Sequence, residues 1–356
     1  MTLSPVFRSP QALESITGKG YLDRLAPSIE SQRRYVRTVH ELLGDVLDAH
    51  YIAPSQSGDN DEVTFFQERF FLILFDSVFR SLDCPPDRLE TYGLLNVCIK
   101  GLVVAGDNLF DDEHKMDLPL ALDRGHRFAS IMQLLCFDHL VTRIFERCTA
   151  FAETEDVARY RRALLSALAA IGTLEGSEEE GVGTVLPVER MIEKVHRVRG
   201  GQLFALAFIA PGIWEPAEKQ PRWRTAREGI ARLGTAFQIV DDLTDFEFDL
   251  GRASHNVLAA QITHEGTVEE KATLEQLLAA GSVPVGAVER GFVHSAQAVL
   301  ERARKEARLG FEALQQVGFW FPPDEAHLFV SAIAGDAGDA RMKAVLEEAP
   351  ASRRPG

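Results

Sequence analysis

Cysteine is scarce. Cys84, Cys98, Cys136 and Cys148 are four in 356 residues, and no two stand in a CxxC pair. Scattered through apolar text, they suit buried free thiols in a reducing compartment better than disulfides or a zinc site. Basic charge is also short: 38 Lys and Arg against 53 Asp and Glu leave a net charge of −15 at pH 7. That balance argues against a general nucleic-acid binder, which needs a basic surface to neutralise phosphates, and fits a protein that collects divalent cations. No uninterrupted apolar run approaches the ~20 residues needed to cross a bilayer. The N-terminal MTLSPVFRSPQALESITGKG lacks the continuous apolar region of a secretory signal. The expectation is a soluble, cytoplasmic protein with no integral membrane segment and no nucleic-acid partner.

Several chemical signatures are missing as well. Without a GxxxxGK[ST] loop, a GxGxxG turn, an HExxH pair or a GxSxG elbow, nucleotide, zincin and serine-hydrolase readings have no anchor. The ten histidines are dispersed and none takes a leading role. Period-2 alternation is rare and no repeat of fixed length occurs.

What is present is helical text. With 46% hydrophobic residues the chain can bury a sizeable core. From Arg34 to Leu47, the residues Tyr35, Val36, Val39, Leu42, Leu43, Val46 and Leu47 recur at intervals of three and four, so they share one helical face. Thr64 reads as the N-cap of FFQERFFLILFDSVFRSL, and Pro85-Pro86-Asp87 opens a long buried helix through LETYGLLNVCIKGLVVAGDNLFDDE. Further helices are expected near 128–151, 156–174, 188–209 and 224–248, after 285 and after 323, with breaks at EGSEEEGVG (175–183) and PGIWEP. The pattern predicts an all-α fold, a single large helical bundle around a central cavity. A loosely structured lead-in over 1–30 would precede the helical domain at 31–348, and a frayed tail would follow at 349–356.

Two acidic clusters carry the chemistry. Asp107-Asn108-Leu109-Phe110-Asp111-Asp112-Glu113 ends a strongly apolar helix, and Asp241-Asp242-Leu243-Thr244-Asp245 lies within TAFQIVDDLTDFEFD. Positions i and i+4 share a helical face, which pairs Asp107 with Asp111 and aligns Asp241 with Asp245 and then Asp249. A lone acidic run is most often a solvated face. Here, however, like charges one turn apart repel by ~0.2–0.5 kcal/mol per pair. The first cluster also meets the negative end of its helix macrodipole, a further ~0.3–1 kcal/mol. Both clusters follow apolar lead-ins, GLVVAG and GTAFQIV, which puts carboxylates where unpaired charge is costly. A bound cation is the natural compensation.

Carboxylate oxygens without Cys or His partners favour a hard cation. Mg2+ usually completes its shell with water and a substrate's phosphate oxygens, so a diphosphate is the expected ligand. Basic residues must take up the remaining phosphate charge. EKVHRVRGGQLF supplies Lys194, Arg197 and Arg199 before a Gly200-Gly201 interruption; Arg124 and Arg127 follow the first cluster, and Arg252 follows the second.

With these motifs in order, the chain resembles the class I isoprenoid synthases, specifically the trans-prenyltransferase (polyprenyl diphosphate synthase) family. LGTAFQIVDDLTDFEFDLGRASHN resembles that family's FQxxDDxxD motif, with Gly251-Arg252 in place of a following Gly-Lys pair. RGGQLF resembles its KTGxLF element, with Arg199 where a lysine is usual. The resemblance covers roughly residues 60 to 260, and the conjunction of motifs is specific although each alone is weak. It departs in three places. Asn108 stands where a second aspartate is expected. The Gly-Gly-Lys-Arg element that binds isopentenyl diphosphate has no counterpart, and VTFFQERFFLIL offers only Arg69 there. DRG keeps Arg124 alone of two arginines.

The resemblance implies a Mg2+-dependent enzyme that ionises an allylic prenyl diphosphate and transfers the prenyl group, and it implies a homodimer. The metal ligands would be Asp107, Asp111, Asp112, Asp241, Asp242 and Asp245, with Asp107, Asp111, Asp241, Asp242 and Arg199 as the catalytic set. Arg199, Lys194, Arg124, Gln238, Arg252 and Arg69 would bind substrate. Leu102 and Val103, about a turn before Asp107, are not aromatic and permit a longer product. The alternatives are cyclisation or head-to-head coupling on the same scaffold, and a non-catalytic protein that binds prenyl lipids or acts as a subunit.

Overall fold

A computed structural model describes residues 10–54, 62–110, 114–122, 125–147 and 153–347. Its helices are α1 (Pro10–Gly18), α2 (Tyr21–Leu43), α3 (Glu62–Ser81), α4 (Pro86–Phe110), α5 (His126–Arg147), α6 (Thr154–Gly176) and α7 (Val188–Met191). A π-helix (Ile192–Gln202), α8 (Leu203–Ala205), a 3-10 turn and α9 (Ile209–Trp214) then run on from α7. The remainder are α10 (Gln220–Thr244), α11 (Phe246–Arg252), α12 (Val257–Glu265), α13 (Val268–Ala280), α14 (Ala287–Gly291), α15 (Val293–Gln316) and α16 (Ala326–Glu347). No strand forms among the described residues; Ile52 and Leu120 make one isolated bridge. The all-α bundle is the architecture that the period of the apolar residues predicts.

Helix α10 is the axis. It packs on α15, the π-helix, α16 and α8, while α4 packs on α5, α2 and α3. Ile230, Leu233, Ala236 and Ile239, at helical spacing, are wholly buried on α10. Fully burying each such large side chain contributes ~1.5–3 kcal/mol. Glycines permit two close crossings. A Cβ on Gly200 would lie 2.2 Å from the Gly234 carbonyl oxygen, and one on Gly229 would lie 2.8 Å from that of Gly310. Backbone therefore meets backbone where α10 crosses the π-helix and α15. Between the two groups of helices, Phe71 of α3 meets Phe204 and Phe237 at ring separations of 4.6 and 5.4 Å.

Several boundaries depart from the sequence expectation. The lead-in predicted over 1–30 is helical from Pro10, because Ala12, Ile16 and Leu25 find apolar partners in the bundle. Helix α2 begins at Tyr21 rather than near Ser31 and carries Pro27 within it. Thr64 lies inside α3, not at its cap. Chain from Val188 runs helically through to Trp214, past the break expected at PGIWEP, with Pro211 inside α9. Short helices meeting end to end absorb the proline there. Helices α4 and α5 are each long and apolar enough to cross a bilayer, yet 56% and 50% of their most apolar windows are buried inside the bundle, where they pack on one another. Cys98 and Cys136 are buried thiols and Cys84 is half-buried, all three free; Cys148 and the tail at 349–356 lie outside the described residues.

Candidate active site

The π-helix sets the geometry of the site. Its wider turn, spanning 11 residues, carries His196 and Arg199 against the end of α10. Such insertions recur at functional sites because they re-aim side chains. His196, wholly buried, brings its Nε2 to 2.8 Å from Asp242 Oδ2. The same oxygen accepts the Val257 backbone N–H at 2.6 Å, and Oδ1 accepts from Gln238 Nε2 at 3.3 Å. Asp242 is thus 2% exposed and fully occupied within the protein. Its Oδ2 serves two structural donors and its Oδ1 one long bond from Gln238, so the fold already draws on this expected metal ligand.

Asp241 is half-buried, and its Oδ2 accepts from Gln238 Nε2 at 3.2 Å. Helix α10 ends at Thr244, and Asp245 (φ −102°, ψ 14°) breaks the helix before α11 resumes at Phe246. The single ridge expected from Asp241 through Asp249 is therefore two short ones meeting at a corner. Asp245 leads into α11, and Asp249 Oδ2 accepts from Asn256 Nδ2 at 2.8 Å. Asn256 also donates to the Asp242 carbonyl at 2.6 Å and caps α12 through Oδ1, so one buried amide ties the corner together.

These carboxyls are electrostatically frustrated. Burial, then the charges of Asp245 and Asp242, push Asp241 up to about 8, against the downward pull of Arg199. Burial and Asp242 push Asp249 up to about 8, and burial raises Asp245 as well. Clustered carboxylates in a desolvated place favour either protons or a cation. Hard oxygen donors without thiol or imidazole suit Mg2+. Among the described residues, no three Asp, Glu, His or Cys side chains gather closely enough to cage an ion.

Arg199 is beside this cluster but already engaged. Its Nε lies 2.5 Å from Glu175 Oε1 in an ion pair, and its Nη2 donates to Glu178 Oε1 at 2.6 Å, the two carboxylates coming from the end of α6 and the turn after it. Lys194, 61% exposed, pairs at 3.7 Å with Glu193 and lies on the solvent side of the π-helix. Arg252 is exposed on α11 with its guanidinium 5.2 Å from the Phe248 ring. Behind the corner, Arg341 of α16 donates to the Leu243 and Thr244 carbonyls at 2.8 and 3.0 Å, to both Glu247 oxygens, and to Glu289. It satisfies orphan carbonyls at the end of α10 with a positive charge.

The first cluster is built differently. Asp107 is exposed near the end of α4, whereas Asn108 is 1% exposed. Asn108 Nδ2 donates to the Lys115 carbonyl at 2.8 Å, and its Oδ1 accepts the Lys115 N–H at 3.0 Å. An ionised aspartate accepts but cannot donate, so it could not make both bonds of this clamp. Gln133 of α5 holds the same loop from the other side, accepting from Asp117 N–H at 2.8 Å. Asp111, Asp112 and Arg124 lie outside the described residues.

Arg69 belongs to neither cluster. Its Nη2 lies 3.3 Å from Asp117 Oδ1, and Lys100 Nζ reaches both Asp117 oxygens at 2.9 and 2.6 Å. Burial works to raise the Asp117 carboxyl, but Lys100 and Arg69 outweigh it and hold it at about 2. Burial, then Arg69, lowers the Lys100 ammonium.

The structure thus gathers Asp241, Asp242, Asp245, Gln238 and Arg199 at one corner, joined by Asp249. Arg69 stands in a separate ion cluster, and Lys194 and Arg252 are outward. His196, Glu178, Asn256 and Arg341 were not singled out by sequence reasoning. A dispersed histidine or asparagine carries no periodic signal; only the acidic run at 175–180 stood out, as a loop.

No family model matches the chain, and no curated protein matches it in sequence. Solved structures do. A decaprenyl diphosphate synthase from Rhodobacter capsulatus matches with TM-score 0.54 at 17% identity over 91% of this chain and 98% of its own. A polyprenyl synthase from Caulobacter crescentus, complexed with calcium and isoprenyl diphosphate, gives 0.57 at 15% over 90% and 98%. A polyprenyl synthetase from Streptomyces coelicolor gives 0.56 at 16% over 87% and 98%. With superposition over about nine-tenths of its length and an all-helical build around α10, the chain has the all-α isoprenoid synthase fold that these prenyl diphosphate synthases share.

Proposed function

We propose that the protein is a Mg2+-dependent enzyme that ionises an allylic prenyl diphosphate. The observation that carries this reading is the frustrated corner at Asp241, Asp245 and Asp249, set beside Arg199 on this fold. Asp241 and Asp245 would hold metal from α10, and Asp107, Asp111 and Asp112 from the end of α4. Bound Mg2+ supplies Lewis acidity and positive charge toward the departing diphosphate. Gln238 orients the Asp241 carboxylate. Arg199 offers its guanidinium to the phosphate oxygens, in the fork geometry that suits them. Phe237, one turn before Asp241, meets Phe71 edge to face and Phe204 at a tilt. Such a wall excludes water, and its ring faces favour the allylic cation.

In prenyl transfer, the C1–O electron pair leaves with the diphosphate and the alkene of isopentenyl diphosphate forms the new carbon–carbon bond. The proton then lost goes to the released diphosphate, so no protein base is required. A second reading, cyclisation or coupling of allylic substrates without isopentenyl diphosphate, is favoured by one observation. Arg69, the only cation offered where that co-substrate's motif is expected, is bound to Asp117.

A homodimer is part of the proposal. Phe128, Ile131 and Leu135, spaced three and four apart on α5, expose an apolar stripe.

The test is incubation with dimethylallyl, geranyl, farnesyl and geranylgeranyl diphosphates in MgCl2, each with and without isopentenyl diphosphate, reading released diphosphate and product mass. Incorporation of isopentenyl units establishes elongation; product without incorporation establishes the second reading. Equal release by wild type, Asp241→Ala and Asp107→Ala removes the site assignment. Without release from any of the four, the remaining account is a prenyl-lipid-binding or subunit protein.

A further inference from the structure

The end of α6 and the segment behind it are fastened to the α10 corner at three points. Arg199 is ion-paired with Glu175, Nε to Oε1 at 2.5 Å, and donates from Nη2 to Glu178 Oε1 at 2.6 Å. Glu178 Oε2 accepts the His255 backbone N–H at 3.2 Å. The Val182 N–H donates to the Ala253 carbonyl at 2.8 Å. Ala253 has φ +55°, a left-handed conformation that a residue with a Cβ adopts only at a cost. The strap spanning 175–182 is one of the contacts holding it there. Beyond Ala253, Asn256 and Val257 make the hydrogen bonds that fix Asp242.

Two carboxylates on one guanidinium reproduce what a phosphate offers it: several anionic oxygens within reach of neighbouring N–H donors. The Arg199 side chain is 15% exposed and that of Glu178 8%, so the contact is largely shielded from solvent. A diphosphate approaching the same donors would meet two like charges already within hydrogen-bond distance of them. Either the carboxylates withdraw or the anion is refused.

On the reading of the site given above, on which this inference rests, we propose that Glu175 and Glu178 are an internal substitute for the diphosphate. Binding of diphosphate at Arg199 is then coupled to release of the strap spanning 175–182. The strap lowers the affinity of the resting protein by the fraction of molecules in which it is closed. Because Glu178 also holds His255, its release frees the loop that supports Asp242, linking occupation of Arg199 to the setting of the acidic corner.

The test uses the full-length protein and inorganic pyrophosphate in MgCl2, titrated calorimetrically. Glu178→Gln keeps the shape and removes the competing charge; it tightens pyrophosphate binding about tenfold. Glu175→Gln, at a more exposed position that places less of the fold at risk, tightens it roughly threefold. Glu180→Gln, exposed and on the same acidic run, makes the same change in net charge and leaves the affinity as it is. In an Arg199→Gln background, Glu178→Gln gains nothing. Pyrophosphate also speeds hydrogen exchange across 175–183 and 253–257.

If wild type binds pyrophosphate and neither Glu178→Gln nor Glu175→Gln binds it more tightly, the strap proposal falls while the diphosphate site stands. A gain in Glu180→Gln equal to that of Glu178→Gln has the same consequence. If none of these proteins binds pyrophosphate, the diphosphate reading falls and the strap with it.

Discussion

The two acidic runs look alike in sequence and are used differently. At the end of α10, one carboxylate of an adjacent pair is consumed by the fold: Asp242 is bound by His196, Val257 and Gln238, and its neighbour Asp241 is left frustrated. At the end of α4, the structural position is filled by Asn108, while Asp107 is exposed. In both places the inner member of the pair secures backbone and the outer one faces the site or solvent. The difference is in what secures it. Near α10 the partners include an imidazole and a backbone N–H, so a carboxylate serves. Near α4 the partner presents both N–H and C=O, so an amide serves where an acceptor-only carboxylate would not. Asn108 is therefore spent on holding the loop at 114–118.

That contrast can be broken by substitution. Asp241→Ala should lower kcat/KM for allylic diphosphate release by about 10³-fold while the melting temperature holds or rises, measured by diphosphate release and calorimetry. Asp242→Ala should instead cost about 3 kcal/mol of stability, because it leaves His196 buried without its partner; denaturant unfolding measures it. If Asp242→Ala keeps full stability and loses only Mg2+ dependence, the division between inner and outer carboxylates is wrong. Asn108→Asp should cost ~1–3 kcal/mol through loss of the donor to Lys115 and burial of a charge, with no gain in metal affinity. A gain in Mg2+ binding there would restore Asn108 to the list of weakened ligands.

The smallest expected effect is a pH dependence. Asp241 rises from an ordinary value of 3.8 to about 8 in the folded protein. A carboxyl with a raised folded value binds its proton more tightly when folded. Its stabilising contribution is complete below the unfolded value and is lost as pH rises toward 8. Metal-free protein should therefore become less stable between pH 4 and 8, and Asp241→Asn should flatten that slope. Added Mg2+ should restore stability in the upper half of the range for wild type and less so for Asp241→Asn. Thermal melts in chelator and in MgCl2 across this range provide the check; parallel profiles for the two proteins would mean that Asp241 is not the titrating group.

Much of this was legible in the chain. The α10 run was placed correctly because its apolar lead-in, Gln238 and its aspartates fall within one helix with strong periodicity. Helix α4 was read from its proline opening and uninterrupted apolar text. The N-terminal helices were missed because Pro27 and the nearby glycines and serines read as loop, and only burial against the bundle makes them helical. The π-helix was invisible: its residues suit an α-helix, and the extra residue per turn is accommodated only because glycines let it press on α10. Arg199 is marked in the chain by the glycine pair that follows it, but nothing in RVRGGQLF states that Glu175 and Glu178 will hold it.

The sequence by itself determined the class of fold and the positions of its carboxylates, since apolar period and local charge are properties of neighbouring residues. Which carboxylate is spent on structure and which remains available was decided only by tertiary structure. That outcome depends on groups far apart in the chain: His196 and Asp242, Arg199 and Glu178, Asn108 and Lys115. A buried charge is governed by the partners within hydrogen-bond reach, and chain order does not specify them.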